Sequence, residues 1–372
     1  MNSLNLGQRK IGPSEEIFII AEIGLNHNLN IDMAMQLIEV AAESGCSAAK
    51  FQTFTADQVY VNDVKTGNYN LMGKSIPIYE LHKNLEMPPE WVPKLMSKCN
   101  SLGIEFFSAP IGLKSLELLV RNRNKLIKVS SYECTNLPFL REIAKKRIPT
   151  IISTGACTIK EIASAVEIFE SEKCEFALLH CLTIYPAEFH LVNFSAMRTL
   201  KQAFNVPVGF SNNGFINKSG EIDFKVIPSE AAKSGADLFE IHITLDRGLP
   251  GPDHGFAVEP LELTELVKSM KEIRRNLQSG TPYELDPILQ GISCKKTLPE
   301  ELYIRNFAFK CIFAQRDILP GERLTTKNTS VLRPGEATRG IEPEFYELLT
   351  KIATAKLFIK KNDPITWDKI IE

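Results

Sequence analysis

The chain has 372 residues and carries 43 Lys and Arg against 45 Asp and Glu, a formal charge of −2. That balance leaves no basic excess to attract nucleic acid or an anionic membrane surface. Hydrophobic residues at 44% and charged residues at 24% are ordinary for a soluble globular protein, and the length suits one large domain plus a small one.

The eight cysteines (46, 99, 134, 157, 174, 181, 294 and 311) include no CxxC pair. This argues against a zinc ribbon or a thioredoxin-type motif and suits free buried thiols in a reducing compartment. The opening "MNSLNLGQRKIGPSEE" is polar, and the first apolar run, "IFIIAEI", is too short to span a bilayer. The expectation is a cytoplasmic protein.

From Glu16 to about Lys271, short apolar runs alternate with longer segments of helical period. The runs are Ile17–Ile23, Ala48–Phe51, Ile104–Ser108, Leu126–Val129, Thr150–Ser153, Phe176–His180, Val206–Phe210 and Leu238–Ile243. Between them, "IDMAMQLIEVAAESG" places apolar residues at Ile31, Met35, Ile38 and Ala42, with Gly45 as a stop. "TIKEIASAVEIFES" has Thr158 and Glu161 in capping-box spacing. Runs apolar on both faces and separated by helices imply parallel strands. Eight such units predict an α/β fold of the (β/α)8 TIM-barrel type over residues 1–280. A doubly wound sheet is the competing fold, but no GxGxxG follows the first run. Residues 281–304 read as a linker, and 305–372, rich in turns and short β-like pieces, as a small β-rich domain.

Barrels of this kind gather their chemistry at the C-terminal ends of the strands. Those positions here hold Glu22, Lys50, Gln52, Ser108, Lys128, Ser131, Glu133, Ser153, His180, Tyr185, Ser211, Glu240 and His242. Each alone has a plain structural reading, since a strand-end lysine is often salt-bridged and a lone histidine is usually a bonded core residue. Together, two lysines among hydroxyls and amides suit a phosphate or carboxylate. Acids and a histidine beside them suit proton transfer or metal binding. The residues alone therefore point to a phosphorylated or acidic small molecule and leave the reaction open.

The stretches "FIIAEIGLNHN", "AAKFQTF", "IKVSSYECTNLPFL", "IISTG" and "EIHITLDRGLPGPDHGFAVEP" resemble the sialic acid synthase family, which includes N-acetylneuraminate, legionaminate and pseudaminate synthases. "DILPGERLTTKNTSVLRPG" is similar to the antifreeze-like SAF domain attached to these enzymes. The resemblance implies condensation of phosphoenolpyruvate with an open-chain N-acylated amino sugar, such as N-acetylmannosamine or a diacetamido-hexose, with release of phosphate. It implies a divalent metal, manganese or magnesium, as cofactor. Lys50, Gln52, Lys128, Ser131, Ser153 and Ser211 would hold phosphoenolpyruvate. Glu22, Glu133 and Lys50 would serve catalysis, and Tyr185, Asp253 and Arg333 would contact the sugar. His242 matches a metal ligand. Arg333 matches an arginine that reaches the partner's site, which implies a domain-swapped homodimer. The "TLDRGLPGPDH" loop resembles the neuraminate and legionaminate branches, so a manno-configured acceptor is expected.

Against the family pattern, Ser211-Asn212-Asn213 replaces Ser-Asp-His, so Asn213 stands in the place of the second metal ligand. Ala109 replaces a threonine, Tyr132 a glycine and Thr183 an asparagine, and about eight extra residues lie in "INKSGEIDFKVIPS". A hard amide oxygen in place of imidazole favours harder ions and weaker binding. Three other readings are a divergent family member with a different acceptor or metal shell, a lysine-dependent aldolase using Lys50 or Lys128 as a Schiff base, and a sugar-binding homologue without turnover.

Overall fold

The computed structural model describes residues 3–6, 9–71, 73–217 and 219–371. Eight parallel strands close into a barrel: β1 (Phe18–Gly24), β2 (Ala48–Phe54), β3 (Glu105–Ile111), β4 (Ile127–Val129), β5 (Thr150–Ser153), β6 (Phe176–Cys181), β7 (Val208–Asn212) and β8 (Leu238–His242). All eight coincide with the expected apolar runs to within three residues at either end. The principal crossover helices are α1 (Ile31–Glu43), α2 (Trp91–Ser101), α3 (Leu113–Arg121), α4 (Leu137–Ala144), α5 (Ile159–Ser171), α6 (Ser195–Phe204), α7 (Val226–Lys233) and α8 (Pro260–Gln278).

The capping box of Thr158 and Glu161 forms at the start of α5, and Gly45 follows α1 with φ +84°. The buried face of α1 is rotated from the expected stripe. Ala34, Leu37, Ile38 and Ala41 are buried, whereas Ile31, Met35 and Ala42 are only partly so. Small alanines let the helix lie close to the barrel, and a stripe chosen by side-chain size misses them.

Strand residues alternate between two cores. Ile19, Ala21 and Ile23 face the helices, while Phe18 and Ile20 point into the barrel with Ala48, Phe107, Leu126, Ile151, Ala177, Leu179 and Leu238. A short hairpin of Leu4–Leu6 and Arg9–Ile11 closes the lower end, placing Leu4, Leu6 and Ile11 in this inner cluster. Gly209 is required at its inner position, because a Cβ there would sit 1.8 Å from the Leu238 carbonyl oxygen. Continuing each inward series by two residues gives Glu22, Lys50, Lys128, Ser153, Cys181, Ser211 and Glu240. The apolar layer thus carries a polar layer above it.

The C-terminal domain begins with a two-stranded antiparallel pair, β9 (Cys311–Ala314) and β10 (Thr329–Leu332), over its own apolar core. The stretch expected as β-like from Arg305 is instead helical at first: α9 runs from Leu302 to Ala308. The expected linker 281–304 is held to the barrel at several points by hydrogen bonds, with Leu289, Lys295 and Glu301 buried and most of the segment exposed. Among the described residues no helix is long and apolar enough to cross a membrane.

His27, His180 and His254 are almost wholly buried, and burial pushes their imidazoles down from 6.5 to about 4, 3 and 4 respectively. The unfolded chain takes up these protons first, so stability is fully present above about pH 6.5 and falls as the pH drops towards 4. Each histidine kept neutral by the fold costs about 1.4 kcal/mol for every tenfold rise in proton concentration over this range. Urea unfolding at pH 5 is therefore expected to show a free energy lower than at pH 7.5 by a few kcal/mol, on the order of one to two per histidine. Equal values would contradict buried neutral histidines.

Candidate active site

The polar layer opens into a cavity of about 550 Å³ at the C-terminal ends of the strands. At its floor Lys50 Nζ lies 2.7 Å from Glu22 Oε2 and 3.4 Å from Glu240 Oε1. Lys128 Nζ is 3.5 Å from the same Glu240 oxygen and donates to Ser153 Oγ at 2.7 Å. Ser211 Oγ donates to Glu240 Oε1 at 3.3 Å, and Gln52 Nε2 to Glu22 Oε1 at 3.2 Å. Glu240 is therefore the hub between the two ammonium groups, and its Oε2 is buried without a partner.

All four charged groups are buried, and their mutual fields decide their protonation. Burial would push the Lys50 ammonium down, but the carboxylates of Glu22 and Glu240 hold it above its usual range. For Lys128 burial wins over Glu240, with Lys50 adding to it, and the ammonium is pushed down. Burial raises Glu22 against the pull of Lys50, whereas the two lysines overcome burial and hold Glu240 low. Two fixed cations facing a carboxylate form a ready anion subsite.

Above this floor, Ser131 Oγ accepts from Gly155 N at 2.9 Å and lies 3.2 Å from Cys181 Sγ. His242 is buried against Phe256, with ring centroids 5.1 Å apart and Nδ1 unpartnered. Burial pushes its imidazole down, and burial likewise raises the neighbouring Asp253 carboxyl. Asn213 Nδ2 donates to the Leu182 carbonyl at 2.7 Å, which leaves its amide oxygen without a partner among the described residues. Asn212 is occupied locally, its Oδ1 accepting from Gly214 N at 2.9 Å. No group of three or more His, Cys, Asp or Glu side chains has metal-holding geometry among the described residues.

The outer wall is aromatic. Tyr60, Tyr69, Tyr132, Tyr185, Phe256, Tyr303 and Phe307 line it with Arg333. The Arg333 guanidinium stacks on Tyr132 at 4.8 Å and near Tyr60 at 5.6 Å, with Nε buried and unpartnered. Tyr132 Oη donates to Tyr185 Oη at 3.1 Å. Arg333 is placed by backbone, since its N–H donates to the Val59 carbonyl at 2.8 Å after β2.

Of the residues selected from the sequence, Glu22, Lys50, Gln52, Lys128, Ser131, Ser153, Tyr185, Ser211, Asn213, His242, Asp253 and Arg333 all line this one cavity. Glu133 does not. Its Oε1 pairs with Lys310 Nζ at 3.1 Å and its Oε2 accepts from Asn136 Nδ2 at 2.7 Å, all away from the cavity wall. His180 also turns out of the barrel, with Nε2 2.9 Å from the Val192 carbonyl oxygen. The sequence gives no sign of Tyr303 and Phe307, which arrive on α9. Glu240 stands in the strand-end pattern without a role until the geometry makes it the hub. Thr183 explains one departure from the family pattern: its N–H and hydroxyl donate to Glu301 Oε1 at 3.0 and 3.1 Å.

Comparison with known proteins places this architecture. Residues 37–282 match the NeuB family and 309–371 the SAF domain. The chain is 35% identical to the spore coat polysaccharide biosynthesis protein SpsE of Bacillus subtilis, covering 100% of this chain and 98% of that protein. It is 36% identical to N,N'-diacetyllegionaminic acid synthase of Legionella pneumophila, over 91% of this chain and 90% of that one. The crystal structure of SpsE superposes with a TM-score of 0.87 at 34% identity, covering 100% and 99% of the two chains. That of the N-acetylneuraminic acid synthetase of Leptospira borgpetersenii gives 0.67 at 31% identity over 77% and 92%. With a barrel of this build, a SAF domain behind it and these relatives, the chain belongs to the NeuB family.

Proposed function

We propose that the protein is a sialic-type (nonulosonic) acid synthase that condenses phosphoenolpyruvate with an N-acylated amino sugar and releases phosphate. The observation that carries this reading is the pair of buried lysines, Lys50 and Lys128, converging on Glu240 in the layer formed by Ser153 and Ser211. An enol phosphate entering the cavity replaces the Glu240 carboxylate as the partner of both cations, with Ser131, Ser153 and Ser211 as hydroxyl donors. Fixed charge of this kind also stabilises the negative charge that builds on phosphate as it leaves.

In the reaction, C3 of phosphoenolpyruvate bonds to the sugar aldehyde carbon, whose oxygen takes a proton and becomes a hydroxyl. Water adds at C2, the C2–O bond to phosphate breaks, and the 2-keto group remains. Glu22, held raised by burial, is suited to give or take a proton beside Lys50. Tyr185, Asp253 and Arg333 ring the outer cavity, where the sugar binds. The aromatic wall around them favours an acceptor with apolar acyl or deoxy groups, such as a diacetamido-hexose.

His242, with its orphaned nitrogen, and the free amide oxygen of Asn213 fit a weakly held hard divalent ion, manganese or magnesium. Such an ion supplies Lewis-acid polarisation of the aldehyde when bound. Asn213→His is expected to tighten manganese about tenfold or more by calorimetry without substrates, since an imidazole replaces an amide. Unchanged affinity would remove Asn213 from the metal shell.

The same lysines admit the aldolase reading, so the test separates the two. Borohydride with phosphoenolpyruvate and sugar is expected to leave both lysines unlabelled while phosphate is released. A reduced adduct on Lys50 or Lys128 would overturn the synthase.

A further inference from the structure

We propose that His82 is a specificity-determining residue: its Nε2 accepts the N–H of an acylamino group carried by the acceptor sugar at the end away from its aldehyde. This deepens the proposed function and rests on it for the nature of the acceptor.

His82 belongs to a short helix, Ile78–Lys83, in the connection between β2 and α2. Ile78 and Leu81 are buried and seat this helix, and His82 joins the wall of the cavity. Leu25, Tyr60, Ile78 and Ile111 form one apolar cluster and line the same cavity. The His82 ring packs edge-on against Tyr60, with centroids 4.9 Å apart, and tilts against Phe54 at 5.7 Å. An imidazole is thus set among apolar and aromatic side chains.

Its protonation and tautomer follow from these contacts. Burial, with the Arg333 charge adding to it, pushes the imidazole down from 6.5 to about 4, so the ring is neutral at neutral pH. Nδ1 lies 2.9 Å from the Ile78 carbonyl oxygen, one turn back along the helix. A carbonyl can only accept, so Nδ1 carries the single proton. Bonding to its own helix is the plain structural role of a histidine, and Nδ1 alone fulfils it. Nε2 is left as a bare lone pair with no partner among the described residues.

Position selects the group that it reads. Lys50 and Phe54 both lie on β2, and a rise of about 3.3 Å per residue puts Phe54 roughly 13 Å beyond the lysine. With phosphoenolpyruvate at Lys50, the aldehyde it attacks lies near the floor and the opposite end of the sugar reaches His82. A bare lone pair demands a donor, and the walls beside it demand apolar surface. An acylamino group brings both, an N–H and a methyl. A hydroxyl would set its own lone pairs against Leu25, Ile78 and Ile111. An ester of the same shape offers no donor and leaves Nε2 unpaired, which is how such a site rejects an analogue.

The test uses the full chain and two sugars: a diacetamido-hexose, and its analogue in which the acetamido group further from the aldehyde is an O-acetyl ester. Calorimetry with each sugar alone is expected to favour the amide about tenfold, the scale for one neutral hydrogen bond left unmade. His82→Phe keeps a ring against Tyr60 and Phe54 and is expected to bring the two affinities together. His82→Gln, with an amide oxygen near the place of Nε2, is expected to restore part of the preference. Nitrogen NMR of the unaltered chain, with the His82 signals assigned by their absence in either variant, is expected to show Nε2 unprotonated and moved by the amide sugar alone. Equal affinities in the unaltered chain, an unchanged preference in His82→Phe, or an Nε2 signal that the amide sugar does not move would each overturn the inference. Phosphate release is measured separately, and its absence beside an intact amide preference would sink the synthase reading while His82 kept its role.

Discussion

Lys128→Met is expected to lower phosphate release from phosphoenolpyruvate by about two to three orders of magnitude, the scale for losing one fixed charge-stabilising donor. Methionine keeps the length and apolar stem of lysine and removes only the ammonium. Glu240 retains Lys50 at 3.4 Å, so its carboxylate stays paired and the fold is not put at risk. The substitution therefore reads the anion subsite rather than stability. Single-turnover rates with saturating acceptor, set beside the unfolding midpoint, separate the two. A variant with near-normal rate would mean that phosphate is held elsewhere.

Lys310→Met should produce the largest stability change. It leaves Glu133 buried with Asn136 alone, and an uncompensated buried carboxylate costs about 3–5 kcal/mol. The same change cuts the contact from Lys310 to the Gln58 carbonyl, so the C-terminal domain loosens from the barrel. Adding Glu133→Gln removes the stranded charge and is expected to restore much of the loss. Urea unfolding of the two single variants and the double variant gives the coupling directly. If the losses simply add, the pair is not the link between the domains.

This ion pair also marks where the sequence was hard to read. Glu133 sits one position beyond Tyr132 and two beyond Ser131, both of which face the cavity, and a strand-end pattern groups the three together. They lie in a 3-10 turn, Ser131–Glu133, where side chains splay in different directions. On the regular strands the period of two decides the face: His180, chosen for its place at a strand end and out of step with the inward series, turns outward. Glu22, Lys50, Lys128, Ser153, Ser211 and Glu240 continue inward series that begin in the apolar layer, so they converge once the barrel closes.

Contacts across long sequence separations were beyond that reasoning. Glu301 on Thr183 and Arg333 stacked on Tyr132 join residues more than a hundred positions apart, and no local period announces them. Nor did composition reveal that "TPYELDPILQG" and the residues after it are bound to the barrel, because the anchors are mostly backbone groups. The polar stretch resembled a free linker, yet its hydrogen bonds go to Asn193, Thr199 and Glu230. The departures at Asn212 and Asn213 are clearer in three dimensions. Asn212 closes a turn on Gly214, and Asn213 alone keeps a free oxygen on the cavity wall.

The central claim is the condensation itself. Its most direct measurement is phosphate release from phosphoenolpyruvate with manganese or magnesium and a panel of N-acylated hexosamines, manno-configured acceptors and diacetamido-hexoses included. Release that requires both substrates, with a nine-carbon 2-keto acid formed in equal amount, is the predicted result. Folded protein that releases no phosphate with any acceptor and either metal would contradict it.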